Sequence, residues 1–384
     1  MDKFVVSARK YRPLTFDSVV GQSHISTTLK NAIANDHLAH AFLFCGPRGV
    51  GKTTCARILA KIINCQNLTP EIEPCGTCDN CVSFANNSAF NIQELDAASN
   101  NSVEDIRSLV DQVRYPPQYG KYKIYIIDEV HMLSNSAFNA FLKTLEEPPS
   151  YAKFILATTE KHKILPTILS RCQIFDFNRI QLQDIVDHLA GVAAKEGIDA
   201  EPEALAMIAQ KADGGMRDAL SIFDLLATFG GGKNITYENA VANLHILDYD
   251  YYFKITDSLL AQQSGAVLLL YDEILRKGFD SHNFLTGLAG HFRNLLVCKD
   301  ANTVRLLEVS AAVQQKYLEQ ARILDTGYIL SGLNILSGAD VQYKTSKNQR
   351  LLVELALIKL AHLPSAFRLA SIPLEAGQKK NNAA

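Results

Sequence analysis

The chain has 384 residues, 47% of them hydrophobic, and a formal net charge of −2. Such a chain can fill the cores of two or three domains, and its near-neutrality excludes a global field drawing it onto nucleic acid. No run is long enough to span a membrane, the N-terminus MDKFVVSARK lacks an apolar leader core, and eight cysteines then point to a reducing compartment. A cytoplasmic protein without a membrane partner is expected.

In chain order, the first strong signal is the apolar run Ala41–Cys45, followed by GPRGVGKT at 46–53 and a helix pattern with Ala56, Leu59, Ala60 and Ile63 on one face. A glycine-rich turn between a buried strand and a helix aims several backbone N–H groups at one point, and the helix dipole adds positive potential there. The turn is a phosphate site. Lys52 would reach the outer phosphates of a nucleotide and the Thr53 hydroxyl would coordinate Mg²⁺. Next come Cys65, Cys75, Cys78 and Cys81 in the spacing C-x9-C-x2-C-x2-C, within a polar loop containing Gly76, Asp79 and Asn80. Four thiols so spaced can close a tetrahedral, structural zinc site. Donor softness leaves an iron–sulfur cluster open, and free thiols are the plainest alternative. Cys45, Cys55, Cys172 and Cys298 lie in apolar surroundings and read as packing residues.

The capping-type Ser102-Val103-Glu104-Asp105 opens a helix pattern through Val113. A strand at Ile124–Ile127 ends in Asp128 and Glu129. A helix pattern from Ala137 to Leu145 is stopped by Pro148-Pro149. A further strand runs from Lys153 towards Thr159, a helical turn Pro166–Leu169 precedes Ser170-Arg171-Cys172, and Gln173–Phe177 is the last strand candidate. This alternation predicts an α/β core with a parallel sheet covered on both faces. Beyond it, helix patterns at 182–196, 202–212 and 216–229 end at Gly230-Gly231-Gly232. After Asn243 the chain reads as helical to Leu363, with long amphipathic stretches at 281–299 and 346–363, the latter closed by Pro364. The expected domains are residues 1–179 (with a zinc module at about 64–84), 180–243 and 244–364, followed by a polar, disordered tail at 365–384.

At the C-terminal edge of a parallel sheet, Asp128 can hold Mg²⁺ and Glu129 can polarise a water attacking a γ-phosphate. Two acids ending a strand are ordinarily only the polar start of a loop, and the upstream phosphate loop is what makes them functional candidates. Thr159 would reach the same edge. Arg171 is either a surface charge or an arginine offered to a neighbour's γ-phosphate. Arg217, in the first turn of a helix, opposes the macrodipole unless an anion lies nearby, which suggests a phosphate sensor; pairing with Asp218 or another surface acid is the competing explanation.

Together these motifs resemble the AAA+ ATPases of the clamp-loader type. The residues carrying the resemblance are ARKYRP at 8–13, FDSVVGQ at 16–22, GPRGVGKTTCARILAK at 46–61, the four cysteines, LDAASN at 95–100 and RYPP at 114–117. IDEVHMLS at 127–134, FNAFLKTLEEPP at 138–149, ATTE at 157–160, LSRC at 169–172 and GGMRDALS at 214–221 complete them. They cover residues 1 to about 230, and the rest of the chain matches in general helical character. The resemblance implies an AAA+ P-loop core with an inserted zinc module, a small helical lid and an all-helical C-terminal collar that oligomerises. It implies that Tyr11, Arg12 and Pro13, with Val20 and Gly21, line an adenosine site. Gly46, Pro47, Arg48, Gly49, Val50, Gly51, Lys52, Thr53 and Thr54 form Walker A, and Asp128 and Glu129 form Walker B. Thr159 falls on sensor 1 and Arg217 on sensor 2. Arg171 is the finger acting on ATP in the adjacent subunit, and Cys65, Cys75, Cys78 and Cys81 hold zinc. Lys143 becomes a candidate for a DNA-facing surface. Asn100-Asn101-Ser102, which carries no positive charge, could grip phosphates only through helix N-terminal N–H groups.

The activity implied is ATP hydrolysis that opens and loads a sliding clamp onto primed DNA, with ATP, Mg²⁺ and Zn²⁺ bound. The partners implied are further copies of the chain, delta- and delta-prime-type loader subunits, the sliding clamp and primed DNA. No polymerase active site is visible. A non-hydrolysing scaffold subunit is the first alternative, disfavoured by the intact Gly51, Lys52, Thr53, Asp128 and Glu129. Another AAA+ DNA motor such as a branch-migration helicase is the second, and a plain zinc-stabilised DNA-binding module the third.

Overall fold

The computed structural model describes residues 5–86, 88–117, 120–244, 249–307, 309 and 311–370. They form two units, one up to Thr236 and one from Tyr237 onward. The expected tail from residue 371 lies outside the described residues.

The first unit is built on five strands, β1 (Ala41–Cys45), β2 (Ile92–Asp96), β3 (Lys123–Asp128), β4 (Ala152–Thr158) and β5 (Gln173–Asp176), in the order β2-β3-β4-β1-β5. Every pairing is parallel. The near-continuous apolar runs of β1, β3 and β4 take the centre, because only there are both faces covered. Their side chains alternate between two cores. Leu43, Tyr125, Phe154 and Leu156 pack with Phe138 and Phe141 on one face. Phe42, Phe44, Ile124 and Ile155 pack with Leu29 and Leu59 on the other. Register puts Cys45 opposite Thr158 and Asp96 opposite Asp128, so the C-terminal ends of the strands share one edge. The edge strand β2 was not among the expected strands. Its sequence IQELD is largely half-exposed or exposed, so it lacks the apolar run that betrays a central strand.

Three helices follow, Leu182–Glu196, Pro202–Lys211 and Met216–Phe229. The short N-terminal helix Ser7–Lys10 is tied to the last of them where the Ser7 N–H donates to Asp224 Oδ2 at 2.7 Å. That tie places the following ARKYRP residues beside the phosphate loop.

The second unit contains seven helices among the described residues, from Tyr237–Leu244 to Gln349–Ala370, around a core that includes Tyr271, Phe284, Phe292, Leu336 and Leu360. The last helix corrects the expectation that Pro364 would close it, since it continues to Ala370 with Pro364 inside. Proline cannot donate to the carbonyl four residues back. That carbonyl, on Leu360, instead accepts from the Tyr328 hydroxyl at 3.2 Å. The group freed by the proline is thus satisfied from a neighbouring helix, and the helix survives.

Inside this unit His291 is 2% exposed. Gln320 Nε2 donates to the Phe253 carbonyl and to Asp257, which turns its Oε1 towards His291 Nε2 at 3.0 Å. The ring is therefore protonated at Nε2, and Nδ1 accepts from the Tyr317 hydroxyl at 3.1 Å. Burial pushes its pKa down to about 3. An unfolded histidine titrates near 6.5, so the unfolded chain binds the extra proton first. Stability should fall as pH drops from about 6.5 towards 3, by at most about 1.4 kcal/mol per pH unit from this group. An imidazole NMR titration should show His291 still neutral at pH 5. His291→Phe should be less stable at pH 7 yet lose less on acidification.

Candidate nucleotide-binding site

The glycine-rich loop leaves the end of β1 and enters the helix Lys52–Ile63. Gly46, at φ +148°, has no room for a side chain, because a Cβ would lie 2.5 Å from the Phe177 carbonyl oxygen. Gly51 caps the helix in the left-handed conformation at φ 104°. Lys52 is 5% exposed, and its ammonium donates to the carbonyls of Gly46 and Pro47 at 2.8 and 2.7 Å. The lysine stiffens the loop that it serves. Burial lowers its pKa, against the attraction of Glu129 and Asp128.

The Thr53 hydroxyl donates to Asp128 Oδ2 at 2.6 Å, joining residues 75 apart in sequence. Two hard oxygen donors thus converge at the mouth of the phosphate loop, a donor set that fits Mg²⁺. Glu129 follows directly, with its backbone in the left-handed region at φ 47°. Such a conformation is costly for a glutamate and is held by its surroundings. Its Oε2 accepts from the Thr159 hydroxyl at 3.0 Å and the Thr159 N–H at 3.3 Å. His131 Nδ1 lies 3.4 Å from the same oxygen and 3.1 Å from Thr158 Oγ1, and His131 Nε2 lies 3.1 Å from Glu160. His131 and Thr158 had not been singled out from sequence. The alternation of histidine among Val130, Met132 and Leu133 in a short turn was the only signal of an inward polar group.

A cavity of about 290 Å³ opens above the loop. Of the expected residues, Tyr11, Arg12, Pro13, Val20, Arg48, Gly49, Val50, Gly51, Lys52, Thr53, Thr54, Asp128, Glu129 and Arg217 all line it. Gly21, Gly46, Pro47 and Thr159 are not in its lining, though a Cβ on Gly21 would meet Ile180, which is. Arg12 Nε donates to Thr54 Oγ1 at 3.2 Å, and burial lowers the pKa of this guanidinium, with Arg57 and Arg217 adding repulsion. Arg217 repels Lys52 as well. It makes no ion pair among the described residues, so the expected competition from Asp218 is not realised. Arg9, Arg12, Arg48, Lys52 and Arg217 all line one cavity, and a polyanion is what relieves such crowding. Tyr11 donates to Glu196 at 2.6 Å, fixing the N-terminal segment to the helix Leu182–Glu196. Val6, Ile180, His188, Met216 and Leu220 also line it. Sequence reasoning missed them because they are scattered apolar or half-buried positions on three different segments.

Arg171 does not enter the cavity. Its guanidinium donates to the Thr167 carbonyl and to Glu146, each at 2.7 Å, on the surface of the unit. Lys143 is exposed on the helix Asn135–Glu146. At Ser102 a reciprocal capping box with Asp105 already places a carboxylate on the N-terminus of the helix Val103–Val113. That arrangement opposes a phosphate there.

Cys65, Cys75, Cys78 and Cys81 bring their sulfurs within 4.8 Å of one another. The Cys65–Cys81 and Cys75–Cys81 separations are 3.7 and 4.0 Å. A tetrahedral zinc with bonds of ~2.3 Å would set sulfurs ~3.8 Å apart, so the cage fits. Backbone N–H groups of Cys78 and Thr77 pull the Cys75 thiol down to about 5, while burial pushes Cys81 up. Four cysteines so placed are compatible with a metal ion between them. Cys45 and Cys55 are buried and Cys172 and Cys298 half-buried, as expected of packing residues.

A P-loop at the C-terminal edge of a parallel sheet, a strand-end Asp-Glu pair and a helical cap carrying an arginine define a nucleotide-binding protein of the AAA+ type. Three family models match this chain in succession: DNA polymerase III, delta subunit, over residues 21–181; DNA polymerase III clamp loader subunit, ATPase lid domain, over 184–232; and DNA polymerase III subunits gamma and tau domain III, over 236–371. The chain is 36% identical over 364 residues to DNA polymerase III subunit gamma of Buchnera aphidicola, covering 93% of this chain and 97% of that one. It belongs to the gamma/tau family of DNA polymerase III clamp-loader subunits. It is 41% identical over 352 residues to subunit tau of Bacillus subtilis and 37% identical over 356 residues to subunit tau of Escherichia coli. These matches cover 92% and 93% of this chain but 62% and 55% of the tau chains, so it spans less than two thirds of their length. Among solved structures, a Thermotoga maritima RuvB Holliday junction branch migration motor is 20% identical with a TM-score of 0.46, over 65% of this chain and 79% of that one. No helix among the described residues is long and apolar enough to cross a membrane.

Proposed function

We propose that this chain is an ATP-hydrolysing motor subunit of the replicative clamp loader, opening the sliding clamp and placing it on primed DNA. The observation that carries the reading is the convergence of Lys52, the Thr53–Asp128 pair, the Glu129–Thr159 pair and Arg217 on one cavity. Residues 1–179 act as the ATPase core, 180–243 as a lid and 244–364 as the collar through which copies of the chain assemble with delta- and delta-prime-type subunits. The loader works in the cytoplasm.

ATP binds with its phosphates against the loop N–H groups and its outer phosphates on Lys52 and Arg217. Thr53 and Asp128 would hold Mg²⁺, which would supply charge neutralisation to the phosphates. Glu129, positioned by Thr159, polarises the attacking water. Arg171 lies outside its own cavity, which suits a finger offered to ATP in an adjacent subunit. Hydrolysis then times release of the closed clamp. Lys143 is the candidate DNA contact, and the four cysteines hold structural zinc.

The test is steady-state ATPase activity with partner subunits, clamp and primed DNA. Clamp and DNA should stimulate the unaltered chain. Lys52→Ala should abolish ATP binding, whereas Arg171→Ala should bind ATP but lose hydrolysis by about a thousandfold or more. A rate indifferent to clamp and DNA, with Arg171→Ala unchanged, would refute the loader reading. Hydrolysis absent in the unaltered chain would favour the scaffold subunit.

A further inference from the structure

The His131 side chain is 7% exposed yet takes no part in the proposed hydrolysis. It sits in the short turn Val130–Met132, directly after Asp128 and Glu129, and three oxygen atoms surround its ring. Nε2 lies 3.1 Å from Glu160 Oε2, and Nδ1 lies 3.1 Å from Thr158 Oγ1 and 3.4 Å from Glu129 Oε2. Two of these partners are themselves fixed. Thr158, at the end of β4, is fully buried, and its hydroxyl oxygen accepts from the Glu160 N–H at 3.0 Å. The Glu160 carboxylate accepts from the Lys163 ammonium at 2.7 Å, and that contact holds its carboxyl below the ordinary range. Thr158 and Glu160 therefore set the ring, and the Nδ1 edge is the one turned to Glu129. A lone pair on Nδ1 would face two further oxygens, whereas a hydrogen there is shared between them. With the Thr159 hydroxyl and N–H, every hydrogen bond and ion pair of the Glu129 side chain among the described residues falls on Oε2. Oε1 has none.

We infer that His131 is a positioning residue for Glu129: through Nδ1–H it joins Thr159 in pinning Oε2, so that Oε1 is the oxygen presented to the attacking water. The inference rests on the reading of Glu129 as the group that polarises water. A carboxylate free to turn about its last bond aligns with the water only part of the time, and a pinned one loses little freedom on reaching the reactive geometry. His131 is not in the lining of the cavity, so its loss changes turnover and leaves ATP affinity alone.

Two amides separate the two edges of the ring. An asparagine amide reaches about where Nδ1 lies, and a glutamine amide about where Nε2 lies. Hydrolysis by the full chain with partner subunits, clamp and primed DNA is compared with equilibrium ATP binding for His131→Phe, His131→Asn and His131→Gln. His131→Phe should lower kcat about tenfold, the worth of one hydrogen bond to a charged group, with the ATP Kd within about twofold. His131→Asn should recover most of that rate and His131→Gln little. Should His131→Phe melt too early to assay, the contrast between the two amides carries the test. An unchanged kcat in His131→Phe, or recovery by glutamine and not by asparagine, overturns the assignment while Glu129→Gln still marks the base. A fall in ATP affinity as large as the fall in kcat makes the ring a structural support and overturns it too. Normal hydrolysis in Glu129→Gln overturns the reading of Glu129, and this assignment with it.

Discussion

Glu129→Gln is expected to cut the rate of ATP hydrolysis by at least about a hundredfold while leaving ATP affinity within about threefold. The geometry separates the two effects. Glu129 Oε2 is fixed by the hydroxyl and N–H of Thr159, not by the phosphate loop. Glutamine keeps an acceptor at the same reach, so the Thr159 contacts and the left-handed backbone at φ 47° persist. Only the negative charge and basicity are lost. In the proposed reading ATP is held instead by the loop, Lys52 and Arg217, which the substitution does not touch. Single-turnover hydrolysis and equilibrium ATP binding on the same preparation give the comparison. Thr159→Ala should fall between the two, since the carboxylate remains but loses its hydroxyl partner. Intact hydrolysis in Glu129→Gln would show that this carboxylate does not act on the water. A collapse of ATP affinity would make it a structural member of the loop.

Much of this site was legible because its parts are local. A phosphate loop needs glycines at fixed offsets between a strand and a helix, and a tetrathiolate cage needs CxxC steps. Both are patterns within about 20 residues. The strands β1, β3 and β4 announced themselves by apolar runs, which is what burial on both faces demands. What escaped was set by tertiary context. β2 is an edge strand whose side chains are partly wet, so its composition is indistinguishable from a loop. The last helix passes Pro364 only because a tyrosine from another helix takes the abandoned carbonyl, a partner 32 residues away in sequence. His131 reaches Glu129 from a short turn and is met by Thr158 of a neighbouring strand, and neither has a diagnostic spacing. Arg171 is the opposite case. Its motif is recognisable in sequence, yet a single chain shows it only as a surface arginine paired with Glu146, because its proposed substrate belongs to another subunit.

Removal of metal from the cysteine cage should reach beyond the cage to the nucleotide site. The loop between Cys65 and Cys75 carries Glu73, which is 6% exposed. Its carboxylate accepts from the N–H groups of Phe16 and Asp17 at 3.0 and 3.1 Å and pairs with Lys30 at 2.8 Å. Those residues lead directly into Val19 and Val20 of the cavity wall. On the other side of the module, Arg57 of the P-loop helix lies over the Phe84 ring at 4.9 Å. The cage therefore braces both the segment that leads into the cavity wall and the P-loop helix. Structural zinc sites in small modules contribute on the order of 10 kcal/mol of binding free energy, far more than a loop of polar residues can recover by packing. Cys78→Ser should lose the bound metal, melt earlier and bind ATP about tenfold or more weakly. Glu73→Gln should keep the metal but share part of the ATP defect, since it weakens the clamp alone. Metal content by elemental analysis, thermal melting and ATP titration of both variants provide the check. Should the metal-free chain bind ATP as tightly as the unaltered one, the brace is wrong. Should it also melt at the same temperature, the four thiols are packing residues after all.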